Sequence, residues 1–144
     1  MNGQFVIDAS VLIQAYVKEE QSDNVLAFLS GLETPGKLTL HVPEFCLLEC
    51  TNVIWKHVRL HGMPVQQAKR AIQHLSQLPL IIQPAVEYLE AALMLGIQNG
   101  LAIYDALYLA LAADLNIPLL TADVRQGEVA QANGILIKSP ADLL

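Results

Sequence analysis

In a chain where only 15% of residues are charged, four acids stand where a carboxylate has chemistry available to it: Asp8, Glu49, Asp105 and Asp123. Asp8 ends the apolar run Phe5-Val6-Ile7, and Asp123 closely follows Leu119-Leu120-Thr121. Both runs read as buried strands, and in open α/β sheets ligands bind beyond the carboxyl ends of the strands. Asp105 comes shortly after the Asn99-Gly100 break, in the first turn of an apolar helix. Glu49 lies within Phe45-Cys46-Leu47-Leu48-Glu49-Cys50-Thr51-Asn52-Val53-Ile54-Trp55, a helical segment with apolar residues on nearly every side. A carboxylate there needs a cation, a partner or its proton, because desolvating it alone is costly. Lys56, the nearest base in sequence, is about two helical turns away.

Should these acids converge, they cannot all stay ionised without a counter-charge. Two unit charges about 4 Å apart repel by about 4 kcal/mol at an effective dielectric of about 20. An all-oxygen set with no His or Cys selects hard cations, Mg²⁺ or Mn²⁺. Such ions activate water and stabilise charge on a phosphodiester during in-line displacement, so the chemistry is hydrolysis of a nucleic-acid backbone. Each acid also has a simpler role open to it. Asp8 and Asp123 can cap helix starts, Asp105 can sit in a first turn favoured by the helix dipole, and Glu49 can meet a hydroxyl or a base from elsewhere. Asp114 is half a turn round the helix from Asp105, and Glu44 about 140° from Glu49, so both belong to caps or solvated faces.

The elements that must position these residues follow from punctuation and periodicity. Strands are predicted over 4–8, 37–42, 80–83, 117–121 and 135–137. Helices are predicted over 11–17, 22–29, 43–60, 65–78, 84–99, 103–115 and 124–132, with stops at Gly62, Pro79 and Asn99-Gly100. Short apolar strands alternating with helices give an α/β fold, a three-layer sandwich with a central five-stranded parallel sheet flanked by helices. No linker, repeat or low-complexity segment interrupts it, so residues 1–144 read as a single domain.

Composition excludes several classes. With 53% hydrophobic residues the chain is not disordered, and the apolar surplus points to an oligomer or an obligate protein partner. The most apolar stretch, 101–120, is interrupted by Asp105, Asp114, Asn116 and Pro118, which argues against a membrane span. Met1-Asn2-Gly3-Gln4 lacks a basic leader, so a cytoplasmic location is expected. Cys46 and Cys50 are not spaced as a zinc or redox pair and read as buried thiols. The net charge of −6 argues against a general nucleic-acid coat protein, yet 51–86 contains no Asp or Glu. Lys56, Arg59, Lys69 and Arg70 all fall there, either guiding an RNA backbone by charge or forming an ordinary solvated face. His57 and His61 have helical metal spacing but no third ligand motif, and read as surface histidines.

Val6-Ile7-Asp8-Ala9-Ser10-Val11-Leu12, Leu48-Glu49-Cys50-Thr51-Asn52-Val53, Tyr104-Asp105-Ala106-Leu107-Tyr108-Leu109-Ala110 and Leu120-Thr121-Ala122-Asp123 resemble, in order and spacing, the four signature blocks of the PIN domain. The resemblance covers essentially the whole chain, and its length matches the VapC-like toxins of toxin–antitoxin systems. It implies a Mg²⁺- or Mn²⁺-dependent endoribonuclease in which Asp8, Glu49, Asp105 and Asp123 are both metal ligands and the catalytic acids. It further implies Ser10 and Thr121 as hydroxyls near the ion, Asn52 as an orienting side chain, a homodimer, and an antitoxin protein as partner. Many relatives carry a further acid two residues after the fourth carboxylate. Arg125 stands there in this chain, which puts a second metal site in question and offers a phosphate contact instead. The competing readings are a catalytically silent PIN-like scaffold that dimerises and binds a protein, and a phosphotransfer enzyme. A phosphatase of the haloacid dehalogenase type wants Asp-x-Asp after the first strand, where Ala9 and Ser10 follow Asp8; a receiver domain wants paired acids and a late Lys.

Overall fold

The computed structural model describes residues 3–143; Met1 and Asn2, read above for a leader, lie outside them. Strand β1 (Gly3–Ile7) buries Phe5, Val6 and Ile7 in succession. Burial of consecutive residues means that both faces are covered, the environment in which a parallel strand is apolar at every position. Around it assemble β2 (Leu38–Pro43), β3 (Ile81–Gln83), β4 (Leu119–Leu120) and β5 (Ile137–Lys138), in the order β3-β2-β1-β4-β5. Every pairing is parallel. The chain runs outward from β1 through β2 to β3, then returns to the other side of β1 for β4 and β5. Strand order therefore reverses between β1 and β4, where a crevice opens at the carboxyl ends of an α/β sheet. Ile7 pairs with Leu120 there, and the Asp8 N–H donates to the Leu120 carbonyl at 2.9 Å.

The helices are α1 (Ala9–Leu12), α2 (Ser22–Leu29), α3 (Cys46–His61), α4 (Val65–Gln77), α5 (Leu89–Asn99), α6 (Ile103–Leu115) and α7 (Val124–Ala132). Helix α6 is buried without a break from Ala106 to Ala112, which is why its sequence has no polar stripe. It packs on the sheet and on α5. At Gly96 the two helices' connection comes so close that a Cβ would fall 2.9 Å from the Leu101 carbonyl oxygen and from Ile103 Cδ1. Gly100 then ends α5 with a left-handed backbone, φ 62°, the usual glycine stop. Among the described residues no helix is long and apolar enough to cross a membrane.

The α/β sandwich and its five-stranded parallel sheet are as predicted, and helices 103–115 and 124–132 match residue for residue. Several boundaries move. The first helix starts at Ala9 and tightens into a 3-10 turn at Ile13–Ala15, because Asp8 itself caps it. Helix α3 begins at Cys46, since Pro43 is the last residue of β2. Pro84 does not open α5; a 3-10 turn, Val86–Tyr88, precedes it. Strands β4 and β5 shrink to two residues each.

Candidate active site

The reversal point places Asp8 and Asp123 on neighbouring strand exits, and each caps the helix that follows. Asp8 Oδ2 accepts from the Ser10 N–H at 2.9 Å and Asp123 Oδ1 from the Gln126 N–H at 3.0 Å. Capping and convergence, alternatives in the sequence, are one arrangement here. Ser10 Oγ accepts from the Ala122 N–H at 3.0 Å, tying α1 to the segment after β4. Asp105 enters from the first turn of α6 and Glu49 from the first turn of α3. The Tyr108 hydroxyl, one turn along α6 from Asp105, donates to Glu49 Oε1 at 2.7 Å.

The electrostatics show that these carboxyls share a neighbourhood. Burial pushes Asp8 above the usual carboxylate range, with the Asp123 charge adding to it and hydrogen bonds from Ser10 and Gln126 opposing. Glu49 is pushed up to about 7, by burial first and then by Asp8 and Asp105, against the Tyr108 hydroxyl. Asp105 is pushed up to about 6, by burial first and then by Asp8 and Asp123. Asp8 is the acid common to the set. Among the described residues, no lysine or arginine offsets any of these three. The result is a half-dry group of like charges lacking a counter-charge, and oxygen donors of this kind suit a hard divalent cation. Among the described residues, however, no three His, Cys, Asp or Glu side chains are drawn together tightly enough to grip an ion as they stand.

The other sequence candidates distribute as follows. Thr121 is buried and accepts from the Asp123 N–H at 3.0 Å. Asn52 lies exposed on α3, one turn beyond Glu49. Lys56 and Arg59 are exposed on α3, with Arg59 stacked on Trp55 at 5.3 Å, and Lys69 and Arg70 are exposed on α4. Arg125 is exposed on α7, and its guanidinium donates to the Asn99 carbonyl at 2.5 Å. The His57 and His61 rings lie 5.0 Å apart on α3, tilted by 51° to each other. Glu44 Oε1 accepts from the Ala85 N–H and Asp114 from the Tyr88 hydroxyl, both as local ties. Cys46 and Cys50 are free and buried.

Two residues of the site do not announce themselves in the sequence. Tyr108 is three residues from Asp105, a spacing that places its hydroxyl over the same helix face. Gln126 is fully buried and bonds Asp8 Oδ1 and the Asp105 carbonyl through Nε2, at 3.2 Å each. Its one sequence signal is an amide sharing the inward face of α7 with Val129 and Ala130. Beside the site, a groove of about 500 Å³ runs away from Thr121 and Asp123 past Gly127 and Gln14.

The PIN domain family model matches residues 5–132, and the chain belongs to that family. It is 30% identical over 127 residues to Ribonuclease VapC3 of Pyrobaculum aerophilum, covering 87% of this chain and 93% of that protein. Among solved structures it is similar to PAE2754 from Pyrobaculum aerophilum, with TM-score 0.69 and 22% identity over 95% of this chain and 85% of that one. It is also similar to a chain of a toxin–antitoxin complex from Klebsiella pneumoniae, with TM-score 0.58 and 19% identity over 94% and 96% of the two chains.

Proposed function

We propose that this protein is an endoribonuclease of the VapC kind that hydrolyses RNA phosphodiester bonds at the Asp8–Glu49–Asp105–Asp123 cluster. The observation that carries this reading is the meeting of Asp8, Glu49 and Asp105 with Asp123 at the strand-order reversal, the first three raised by burial and by neighbouring acids with no basic side chain among the described residues to offset them. The similarity to Ribonuclease VapC3 supports the substrate class.

The four carboxylates would hold Mg²⁺ or Mn²⁺, drawing closer together around it than they are without it. Such an ion, when bound, neutralises the cluster, polarises the phosphodiester and makes water a nucleophile near neutral pH. The chain's own residues do the rest. Asp8, fixed by Ser10, presents an oriented carboxylate at the floor of the crevice. Tyr108 occupies Glu49 Oε1, and Oε2 has no hydrogen-bond partner among the described residues. Without an ion the Glu49 carboxyl is pushed up to about 7, and a cation held beside it would favour the charged form that ligates. Lys56, Arg59, Lys69 and Arg70 lead the RNA backbone towards the acids. An antitoxin is the expected protein partner, supported by the likeness to a chain of a toxin–antitoxin complex. A homodimer is supported by the exposed apolar stripe Leu89, Leu93 and Ile97 along α5.

The test is cleavage of a mixed RNA pool with Mg²⁺, Mn²⁺ or EDTA, comparing wild type with the double variant Asp8→Asn, Asp105→Asn. Ion-dependent cutting that the folded double variant lacks is the expected outcome. A folded, antitoxin-free wild type that cuts no RNA with either ion moves the chain to the binding-only scaffold.

A further inference from the structure

Gln126 sits where an apolar residue would be expected. Its neighbours on the inward face of α7 are Val129 and Ala130, and its side chain is wholly removed from solvent. Burying a carboxamide there is unfavourable unless every polar end is met, and here they are. Nε2 donates to Asp8 Oδ1 and to the Asp105 carbonyl, both at 3.2 Å. Oε1 accepts from the Thr121 hydroxyl at 2.6 Å. The hydroxyl donates there because an amide oxygen has no proton to give, and its own oxygen accepts from the Asp123 N–H at 3.0 Å. The Gln126 backbone N–H donates in turn to Asp123 Oδ1 at 3.0 Å. The ring of bonds fixes which way the amide faces, since ionised Asp8 and the Asp105 carbonyl offer only acceptors.

Helix capping explains the backbone N–H to Asp123 but not the side chain. In a capping box, a glutamine at this position reaches back to the N-cap N–H. In this chain that N–H belongs to Asp123 and is taken by Thr121, while the amide turns inward to a carboxylate on another strand. It thereby joins β1, the exit of β4, the first turn of α6 and α7.

We propose that Gln126 is a positioning residue for the acidic cluster. Its carboxamide holds the Asp8 carboxylate against the main chain of the first turn of α6, so that Asp8 is already oriented when a divalent ion draws the cluster together. Thr121 acts through it, by fixing the orientation of the amide. This rests on the nuclease reading of the cluster but assigns no contact between Gln126 and the ion. Outer partners of ligating groups typically change ion affinity by about 10- to 100-fold when removed.

The experiment is Mn²⁺ titration calorimetry on wild type and Gln126→Met, which keeps the length and loses both polar ends, with circular dichroism confirming the fold. The expected result is a Kd for Mn²⁺ weakened by about tenfold or more in the variant. A folded variant with a Kd within about twofold of wild type overturns the proposal. Should the variant not fold, the wild type supplies the readout in a Mg²⁺ titration followed by NMR. The Gln126 side-chain amide resonances must then move with the same midpoint as the Asp8 carboxyl carbon. An amide that stays still while Asp8 moves overturns the positioning role and leaves the nuclease reading intact. A wild type that binds neither ion overturns both.

Discussion

Replacing Tyr108 by Phe removes one hydroxyl from a wholly buried ring, and the structure sets what should follow. That hydroxyl donates to Glu49 Oε1 at 2.7 Å and favours the charged form of Glu49, against burial and the neighbouring acids. Burial drives the Tyr108 phenol itself far upward, so it stays a donor across the whole working range of pH. A hydrogen bond to a charged group contributes about 1.5–3 kcal/mol, and about 1.4 kcal/mol corresponds to one pH unit. Glu49 is only half-buried, and solvent screening reduces the effect, so Tyr108→Phe should raise the Glu49 carboxyl by about one unit above its value near 7. The sign carries over to stability. Where Glu49 is protonated in both proteins the missing bond matters little; where it is ionised the variant lacks the donor. The variant's deficit should therefore be about 1 kcal/mol larger near pH 9 than near pH 5. The measurements are carbon NMR titration of the Glu49 carboxyl and urea unfolding at both pH values, in EDTA. An unmoved Glu49 titration, with an equal deficit at the two pH values, would refute the coupling between α6 and α3 on which the site rests.

Three further outcomes are expected. Without a divalent ion, wild-type stability should fall as pH rises from about 4 to about 7. Glu49 and Asp105 hold their protons up to about 7 and about 6 in the fold but lose them near 4.5 and 3.8 when unfolded; urea midpoints that climb across that window contradict this, and Mg²⁺ at pH 8 should restore the loss. Gly96→Ala should cost about 1–3 kcal/mol, because the added Cβ meets the Leu101 carbonyl oxygen at 2.9 Å and outweighs alanine's better helix propensity; an unchanged unfolding free energy would mean that α5 and α6 are not so closely joined. Lys69→Glu with Arg70→Glu should flatten the salt dependence of RNA binding, the slope falling by about 0.7 for each phosphate no longer neutralised; filter binding from low to high salt with an unaltered slope removes α4 from the RNA path.

The sheet was legible because its chemistry is local. Phe5-Val6-Ile7 and Leu119-Leu120 are apolar in succession, which only a strand covered on both faces tolerates. The places of the four candidate acids were legible because each follows an apolar run or falls in the first turn of a helix. Boundaries were less so: Pro43 looked like a helix opener but closes β2, since what decides its place is pairing with Gln83 across the sheet. The partners of the acids were the least legible part. Tyr108 and Gln126 look like core residues of α6 and α7, and they become site residues only when α6 meets α3 and α7 meets β1, meetings that no periodicity encodes.

The double duty of Asp8 and Asp123 bears on how such a protein decays when its activity is no longer needed. Each begins a helix, so a drift to alanine would lose a cap as well as a proposed ion ligand, and the lost cap costs about 0.5–2 kcal/mol each. Asparagine caps about as well as aspartate and carries no charge to crowd its neighbours. Idle descendants of this chain should therefore accumulate Asn at these positions before any other residue. Losing the chemistry by that route leaves the fold intact and relieves the crowding among the remaining acids, so a silent copy can outlast a working one.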